Sequence, residues 1–319
     1  MPQEMGGQVV KDIINGVVIT GVVIAGVVIA VSVFLPIIGF FTAVLIPLPI
    51  LFYRVKLGRF LGGAVPVLTA FVLSIILGGL AVDALFFLGL MLTGFVLGEL
   101  CEQNLPIEKT IGYTCLGVLA AGFAALLFYS SAQGTSLIEM ISTYVLKNLE
   151  ITLALYKQMG IPVETIHQVE NSLDRIQYAL VRIVPSLVLV STLFVSWVCL
   201  LFAKPLFRGF ALPYPDFGRL TTWSTPEKLV WGAIGCTIAL LLPDTGIRLI
   251  GLNGILIFMM IYFLHGIAIV AYFFDKKKFP RMARTFIYTL IAIQHVFALV
   301  VIALGFFDLW INFRKLEKQ

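Results

Sequence analysis

The chain alternates between long apolar stretches and short polar ones. A membrane-spanning helix needs about 20 mostly apolar residues, because every backbone polar group has to be hydrogen-bonded inside the segment. On that rule the sequence predicts nine spanning helices. The predicted spans are 13–34, 37–53, 60–80, 82–99, 109–130, 183–203, 228–243, 248–274 and 284–307.

Two of these spans are interrupted by proline. Pro47 and Pro49 lie in the second span and Pro66 in the third, and each removes a backbone donor and kinks or shortens its helix. Interrupted spans surround binding sites in transporters, whereas membrane helices also tolerate proline without any functional role. Both interpretations stay open.

The long break in hydrophobicity is residues 131–182. Residues 137–159 form a predicted amphipathic helix that ends at Gly160. From Ile166 to Ile183 the apolar residues follow a 3-4 spacing, which lines one helix face. We therefore predict an extramembrane helical hairpin that lies on the membrane or caps the bundle, and a cap is preferred over a coil that docks a partner.

These patterns predict an all-α fold: a polytopic transmembrane helical bundle of about nine spans with an amphipathic extramembrane hairpin. The predicted organisation is residues 1–130 with spans one to five, residues 131–182 as the extramembrane segment, and residues 183–319 with spans six to nine and a basic tail.

Composition supports the same class of protein. Apolar residues make up 60% of the 319 residues and charged residues 12%, whereas a soluble domain has roughly a quarter charged residues. The 22 Lys and Arg exceed the 17 Asp and Glu, but they lie beside hydrophobic spans and form no separate basic domain. The expected partner is therefore the lipid bilayer and not nucleic acid.

The distribution of basic residues predicts the orientation. With the N-terminus inside, fourteen of the 22 Lys and Arg fall in cytoplasmic segments, as the positive-inside rule requires. We therefore expect a multi-pass protein of the bacterial cytoplasmic (inner) membrane with a cytoplasmic N-terminus. Nine spans place the basic tail FRKLEKQ outside, which conflicts with the same rule.

The sequence contains no recognisable catalytic motif. The phosphate-binding GxxxxGK[ST], the nucleophile elbow GxSxG and the zinc motif HExxH are all absent from it. The four cysteines lie 14 or more residues apart, which favours buried free thiols over a disulfide framework or a zinc site. We expect no enzyme activity, no catalytic residue, no metal and no cofactor.

Polar residues inside the spans are the best indication of a ligand site, because they are costly in lipid and face the bundle interior. His265 lies midway along the eighth span, and the pair Gln294 and His295 lies at a similar depth in the ninth. The predicted ligand-binding set is His265, Gln294, His295, Asn253 and Asp83. The alternative is a set of interhelical hydrogen bonds, each worth about 0.6 kcal/mol.

Charged residues at the inner end of the fourth span have a simpler interpretation. Glu99 and Glu102 either bind a cation or belong to a solvated helix end, and the neighbouring polar loop QNLPIEK favours the solvated helix end. The positive-inside rule places Arg54 in a cytoplasmic segment.

The repeat GVVITGVVIAGVVIA at residues 16–30 indicates close packing of the first span. Gly21 with Ala25, and Gly26 with Ala30, are small residues four apart, a spacing that lets two helices approach closely. Because glycines five apart do not share a helix face, these pairs offer contacts on several sides. One of those contacts is a candidate docking site for a partner subunit.

Three segments carry a resemblance to a known family. The Pro- and aromatic-rich stretch from Leu212 to Pro226, the segment FLHGIAIVAYFF at 263–274 and the closing GFFDLWINFRK at 305–315 resemble the YybS-like family of bacterial multi-pass membrane proteins. That family is similar to the S components of energy-coupling-factor transporters, which bind a small ligand from outside and dock onto a membrane coupling subunit.

The resemblance implies a six-helix core over residues 13–203, with small-xxx-small positions on the first helix facing the coupling subunit. The last three spans have no counterpart in that core, and no ligand-binding residue can be matched. Two functions follow as hypotheses. One is a solute-binding or transport-related, S-component-like subunit. The other is a non-catalytic cell-envelope scaffold that recruits a membrane or envelope protein through the outer hairpin or the 204–227 loop.

Overall fold

The described part of the chain is helical, as the pattern of apolar residues predicts. The computed structural model describes the backbone of residues 2–76 and 82–315, and the side chains of 15–35, 39, 41–75 and 84–315. Within these ranges the helices are α1 (Pro2–Phe34), α2 (Pro36–Leu45), α3 (Pro47–Ile76), α4 (Val82–Cys101), α5 (Ile107–Gln133), α6 (Leu137–Gln158), α7 (Val163–Asn171), α8 (Leu173–Gly209), α9 (Leu229–Leu241), α10 (Thr245–Lys276), α11 (Arg281–Ile293) and α12 (His295–Ile311). A short 3-10 turn occupies Leu220–Thr222.

The chain divides into two compact units. The first comprises residues 1–137 and 191–216, and the second comprises residues 138–190 and 217–319. In the first unit α3 packs against both α1 and α4, α4 packs on α5, and α2 packs on α1. In the second unit α10 packs on α9, on α12 and on the 3-10 turn, and α11 contacts α12.

The helices that can cross a membrane are fewer than the nine predicted. Among the described residues, six helices are long and apolar enough, or seven if a bent pair of helices counts as one span. The chain is therefore a multi-pass membrane protein, as predicted, and the count of nine is not reached by length and composition.

One source of the difference is a reversal inside α3. Gly58 has φ 77° and ψ −178°, which interrupts the helix. A Cβ on Gly62 would lie only 2.6 Å from the Cα of Arg54, whereas eight residues of straight helix span about 12 Å. The chain therefore folds back at Gly58, and the predicted spans 37–53 and 60–80 lie on either side of a real break.

Two other predicted spans are shorter or less regular than the hydrophobic pattern indicated. The seventh corresponds to α9, whose 13 residues cover about 20 Å, less than the hydrocarbon core of a bilayer. The ninth is broken at Gln294, where φ −100° and ψ 110° end α11, and α12 continues at an angle of 102°. Hydropathy records a run of apolar residues and does not detect a bend within it.

The segment 131–182 contains the predicted first helix and a less regular second one. α6 ends at Gln158, and Gly160 takes the left-handed φ of 72° that glycine permits. The second predicted helix is interrupted at Ser172, after which α8 runs without a break for 37 residues, about 55 Å, to Gly209. The predicted boundary at 182/183 therefore lies inside a continuous helix.

Candidate functional site

The second unit contains a buried cluster of ionisable side chains where α10 and α12 cross. His265 lies in α10 and is fully buried. A Cβ on the next residue, Gly266, would overlap the backbone carbonyl of Val301, and a Cβ on Gly305 would overlap the carbonyl of Tyr262. The two helices therefore approach to backbone contact, which only glycine permits, and this crossing holds His265 against α12.

Asp308 and Arg314 complete this cluster, which we call the His265 cluster. His265 Nε2 lies 2.9 Å from Arg314 Nη2 and 3.2 Å from Asp308 Oδ2, and Arg314 Nη2 donates to Asp308 Oδ2 at 3.0 Å. The exposed fractions of Asp308 and Arg314 are only 8% and 2%. An aspartate and an arginine this deeply buried require each other, because either charge alone would lack both water and a counter-ion.

A turn after α12 brings the arginine back to the cluster. Asn312 ends the helix in the left-handed conformation with φ 46°, and Asp308 Oδ1 accepts a hydrogen bond from the backbone N–H of Phe313 at 2.8 Å. The carboxylate of Asp308 therefore accepts two hydrogen bonds, one from the backbone of the turn and one from the Arg314 guanidinium.

Arg314 also forms hydrogen bonds that hold the 3-10 turn against the crossing of α10 and α12. Its Nη1 donates to the carbonyl oxygens of Thr221 at 3.0 Å and Trp223 at 2.9 Å. The indole of Trp223 meets the His265 imidazole edge-on, with ring centroids 6.0 Å apart. One guanidinium thus connects α12, α10 and the chain that precedes α9.

Nε2 of His265 cannot form hydrogen bonds with both Arg314 and Asp308 at the same time. Arg314 is always a donor, so a hydrogen bond from its Nη2 requires an unprotonated Nε2 on His265. A hydrogen bond to Asp308 requires the opposite, a proton on Nε2. In either arrangement Nδ1 of His265 and Nε of Arg314 are buried without a hydrogen-bond partner in the described part of the chain. These two buried nitrogens give the cluster unused hydrogen-bonding capacity.

An apolar cavity of about 380 Å³ lies in the same unit, between α9, α10 and α12. Its wall includes Phe258 and Met259 from α10, Phe306 from α12 and Thr237 from α9. Tyr262, one helical turn before His265, also lines it, and the buried Tyr262 hydroxyl has no hydrogen-bond partner among the residues that the structure describes. Pockets that bind small molecules have volumes in this range and apolar walls with few polar groups.

Comparison with known proteins identifies the family. Residues 23–309 match the family described as "Predicted membrane protein (DUF2232)". The chain belongs to this family. It is also 25% identical over 297 residues to the protein called "Uncharacterized protein YybS" of Bacillus subtilis (strain 168), covering 90% of this chain and 92% of the relative. No solved structure matches the chain.

The family assignment confirms the resemblance seen in the sequence to YybS-like membrane proteins. The further likeness of this DUF2232 protein to transporter S components has no support from a solved structure and stays a prediction. The described cysteines are free thiols, three of them buried and Cys236 partly exposed, as their spacing predicts.

The structure separates the residues that sequence reasoning grouped together. Gln294 and His295 lie at the exposed bend between α11 and α12, about 15 Å of helix before Gly305. Asn253 lies twelve residues before His265, and its Nδ2 donates to the carbonyls of Arg182 at 3.0 Å and Leu249 at 2.9 Å. The similar depth of Gln294, His295 and His265 therefore does not bring their side chains together, and the ligand-binding role of this set stays a prediction. The side chain of Asp83 lies outside the described residues.

The predicted close-packing positions on α1 are used unequally. Gly21 and Ala25 are buried, and a Cβ on Gly21 would lie 3.0 Å from the ring of Tyr53 in α3. A Cβ on Gly26 would meet nothing within 4 Å, and Ala30 is exposed. The first pair therefore packs inside the chain, and only the second is open to a partner.

The first unit contains a second buried ion cluster, which the sequence interpretation assigned to solvent. Arg54 is 1% exposed and donates from Nε to Glu99 at 2.6 Å and from its two Nη atoms to Glu102 at 2.8 and 3.0 Å. A Cβ on Gly98 would lie 2.5 Å from Arg54 Cγ, so this glycine admits the arginine stem between α3 and α4. The prediction of a solvated helix end is wrong for Glu99, whose side chain is 23% exposed.

A polar recess of about 250 Å³ adjoins this second cluster. Glu102, Asn104 and Tyr214 line it, and the Tyr214 hydroxyl donates to the carbonyl of Leu200 at 2.9 Å. Burial raises the pKa of Tyr214, so this hydroxyl stays protonated and acts as a donor. Both carboxylate oxygens of Glu102 already bind Arg54, which makes this cluster a structural tie.

Sequence reasoning missed Asp308 and Arg314. The signal was available in GFFDLWINFRK, where a single aspartate interrupts an apolar run and an arginine follows six residues later. By sequence alone Arg314 belongs to the basic tail FRKLEKQ and not to the apolar run that contains Asp308. Only the left-handed turn at Asn312 reveals that the arginine returns to the aspartate.

Proposed function

We propose that this membrane protein is a solute-binding, transport-related subunit of the bacterial cytoplasmic membrane, and that its solute site lies in the second unit between α9, α10 and α12. The observation that carries the proposal is the buried His265 cluster beside an apolar cavity. Ionisable residues inside a membrane protein are rare because burying them is costly. Where they occur, they commonly line a solute or proton pathway.

The arrangement supports this role in two ways. The cavity has the size of a small-molecule pocket, and Tyr262 and Phe306 in its wall belong to the same helix crossing that positions His265. The negative charge of Asp308 and the positive charge of Arg314 in the His265 cluster cancel each other. An uncharged, mostly apolar solute fits these surroundings better than an ion.

The test is native mass spectrometry of the protein released from membranes in a mild detergent. Thr237→Phe places an aromatic ring in the cavity wall, whereas Leu241→Phe changes an 81% exposed residue on the same helix outside the cavity. We expect a small molecule to co-purify with the unchanged protein and with Leu241→Phe, and to be lost from Thr237→Phe.

A second variant tests the role of the histidine. His265→Gln retains a polar atom near the position of Nε2 and removes Nδ1. If Nδ1 serves the solute or its proton, this variant retains the fold and loses affinity. A protein that co-purifies with a stoichiometric protein partner and with no small molecule would instead support the envelope-scaffold function and refute the solute site.

Coupling to a partner subunit is the remaining part of the proposal. Of the two predicted close-packing pairs on α1, the pair Gly26 and Ala30 stays open in the described structure. Gly26→Leu is expected to abolish co-purification of a coupling subunit, whereas Val27→Leu, at a 55% exposed position beside it, is expected to retain it.

A further inference from the structure

The cavity between α9, α10 and α12 has an exposed end and a buried end. Ile238 of α9 lies in its wall and is 55% exposed, whereas Ala233 of α9 and Tyr262 of α10 are 3% and 2% exposed. We call Ala233 and Tyr262 the floor of the cavity. A molecule that enters past Ile238 therefore reaches Tyr262 with its leading end.

Tyr262 is held in the floor by its contacts with α12. A Cβ on Gly305 would overlap the Tyr262 carbonyl, so the two backbones touch at this residue. The Tyr262 ring meets the Phe306 ring edge-on, with ring centroids 5.2 Å apart, and Phe306 lines the same cavity. Both the backbone and the ring of Tyr262 are therefore packed against α12.

The hydroxyl of Tyr262 is a buried polar group that forms no hydrogen bond with the part of the chain that the structure describes. Burying a hydroxyl without a partner is costly, and a phenylalanine would fill almost the same space without this cost. A tyrosine at this position is therefore explained by a partner that the described chain does not supply.

A water molecule is poorly suited to be that partner. A buried water needs about two to four polar neighbours. Apart from Tyr262, the described side chains that line the cavity offer one polar group, the Thr237 hydroxyl, which already donates its proton to the carbonyl of Ala233 at 2.9 Å. The others are alanine, isoleucine, phenylalanine and methionine. A solute that carries an oxygen on an apolar frame fits these surroundings better.

We propose that the Tyr262 hydroxyl donates a hydrogen bond to an acceptor oxygen at one end of the solute, and that the rest of the solute is apolar and uncharged. None of the described side chains that line the cavity is charged, so an ionised solute would lose its hydration without compensation. The oxygen lies at the floor, and the apolar frame lies along Phe258, Met259 and Phe306. This inference rests on the proposed solute site and adds the contact that selects the solute.

The experiment compares two probes of similar shape on the full-length protein in a mild detergent. Benzophenone has one carbonyl oxygen between two phenyl rings and labels the protein under near-ultraviolet light. Diphenylmethane lacks the oxygen, and its binding is measured by competition with that labelling. Tyr262→Phe removes the hydroxyl and keeps the ring that packs on Phe306. Tyr288→Phe is the matched control, because Tyr288 lies on α11 and is not among the residues that line the cavity.

We expect the dissociation constant of benzophenone to rise about three- to tenfold in Tyr262→Phe, which corresponds to one neutral hydrogen bond, and to stay unchanged in Tyr288→Phe. Diphenylmethane is expected to bind these two variants and the unchanged protein equally. Thr237→Phe is expected to block both probes. Without a probe, Tyr262→Phe is expected to be at least as heat-stable as the unchanged protein, because its hydroxyl has no partner in the described chain.

Three results would overturn the inference. If Tyr262→Phe binds benzophenone as tightly as the unchanged protein does, and Thr237→Phe blocks the probe, the cavity holds a solute that Tyr262 does not recognise, and the solute site stands without this inference. If Thr237→Phe leaves the labelling unchanged, the cavity is not a binding site, and both proposals fail. If Tyr262→Phe without a probe is less stable than the unchanged protein, the hydroxyl has a structural role.

Discussion

Replacing Asp308 by asparagine tests whether the His265 cluster stabilises the second unit. The variant keeps an oxygen that accepts from the Phe313 N–H, and it removes the counter-ion of Arg314. Both side chains of the pair are 7% exposed or less, so water cannot replace the lost carboxylate. Breaking a buried pair in this way costs about 3–5 kcal/mol of unfolding free energy.

The same unit offers a matched control. Asp275 and Arg284 form an ion pair of the same chemistry at 2.6 Å, with side chains 58% and 33% exposed. Because water and salt screen an exposed pair, Asp275→Asn is expected to cost no more than about 1 kcal/mol. The two variants differ mainly in the burial of the aspartate that loses its charge.

The assay is reversible unfolding in mixed micelles of mild and denaturing detergent, followed by circular dichroism. Amide exchange at residues 221–223 gives a second readout, because Arg314 holds the carbonyls of Thr221 and Trp223. We expect faster exchange there in Asp308→Asn. The double variant Asp308→Leu with Arg314→Met is expected to recover most of the stability, since no unpaired charge remains. Equal losses for Asp308→Asn and Asp275→Asn would refute the reasoning.

Three further predictions concern the other contacts. Arg54→Ala is expected to lower the free energy of unfolding by about 3 kcal/mol in the same assay, the low end for a buried pair, because its partner Glu102 is half-exposed. The control is Arg59→Ala, since Arg59 is 73% exposed and lies 3.6 Å from Glu99. This variant is expected to cost less than about 1 kcal/mol. Gly305→Leu is expected to cost about 3 kcal/mol, because its side chain would enter the backbone of α10. Lastly, a hydrogen bond from Lys157 lowers the pKa of Glu170. The pair therefore stabilises the α6–α7 contact fully at pH values above the ordinary carboxyl pKa. This stabilisation is lost as the pH falls through the lowered pKa of Glu170. The protection factors of residues 157–171 in amide exchange, which correct for the intrinsic pH dependence of exchange, should fall on acidification in the unchanged protein and lose this pH dependence in Glu170→Gln.

The site shows which kind of information was missing from the sequence. His265 could be singled out because a histidine in the middle of an apolar run is a local feature. The pairing of His265 with Asp308 and Arg314 could not be predicted, because these residues lie 43 and 49 positions further along the chain. The prediction of Gln294 and His295 as its companions depends on equal depth alone. Equal depth fixes one coordinate of a side chain and leaves its direction around the helix open.

Much of the fold was determined by the sequence alone. The length and frequency of apolar runs require helices in lipid, because no other local structure satisfies the backbone there. The end of α6 before Gly160 and the close packing of α1 at Gly21 and Ala25 also follow from local rules about small residues. These features depend on residues within one or two helical turns of each other.

The tertiary structure decided the rest. The reversal at Gly58, the bend at Gln294 and the return of Arg314 after Asn312 each depend on a few backbone angles that hydropathy does not record. They change which polar groups meet, so Arg54 is buried with Glu99 instead of solvated, and His265 faces Asp308 instead of His295. Apolar patterning sets which segments enter the membrane, whereas the pairing of buried charges is set by contacts between residues far apart in the chain.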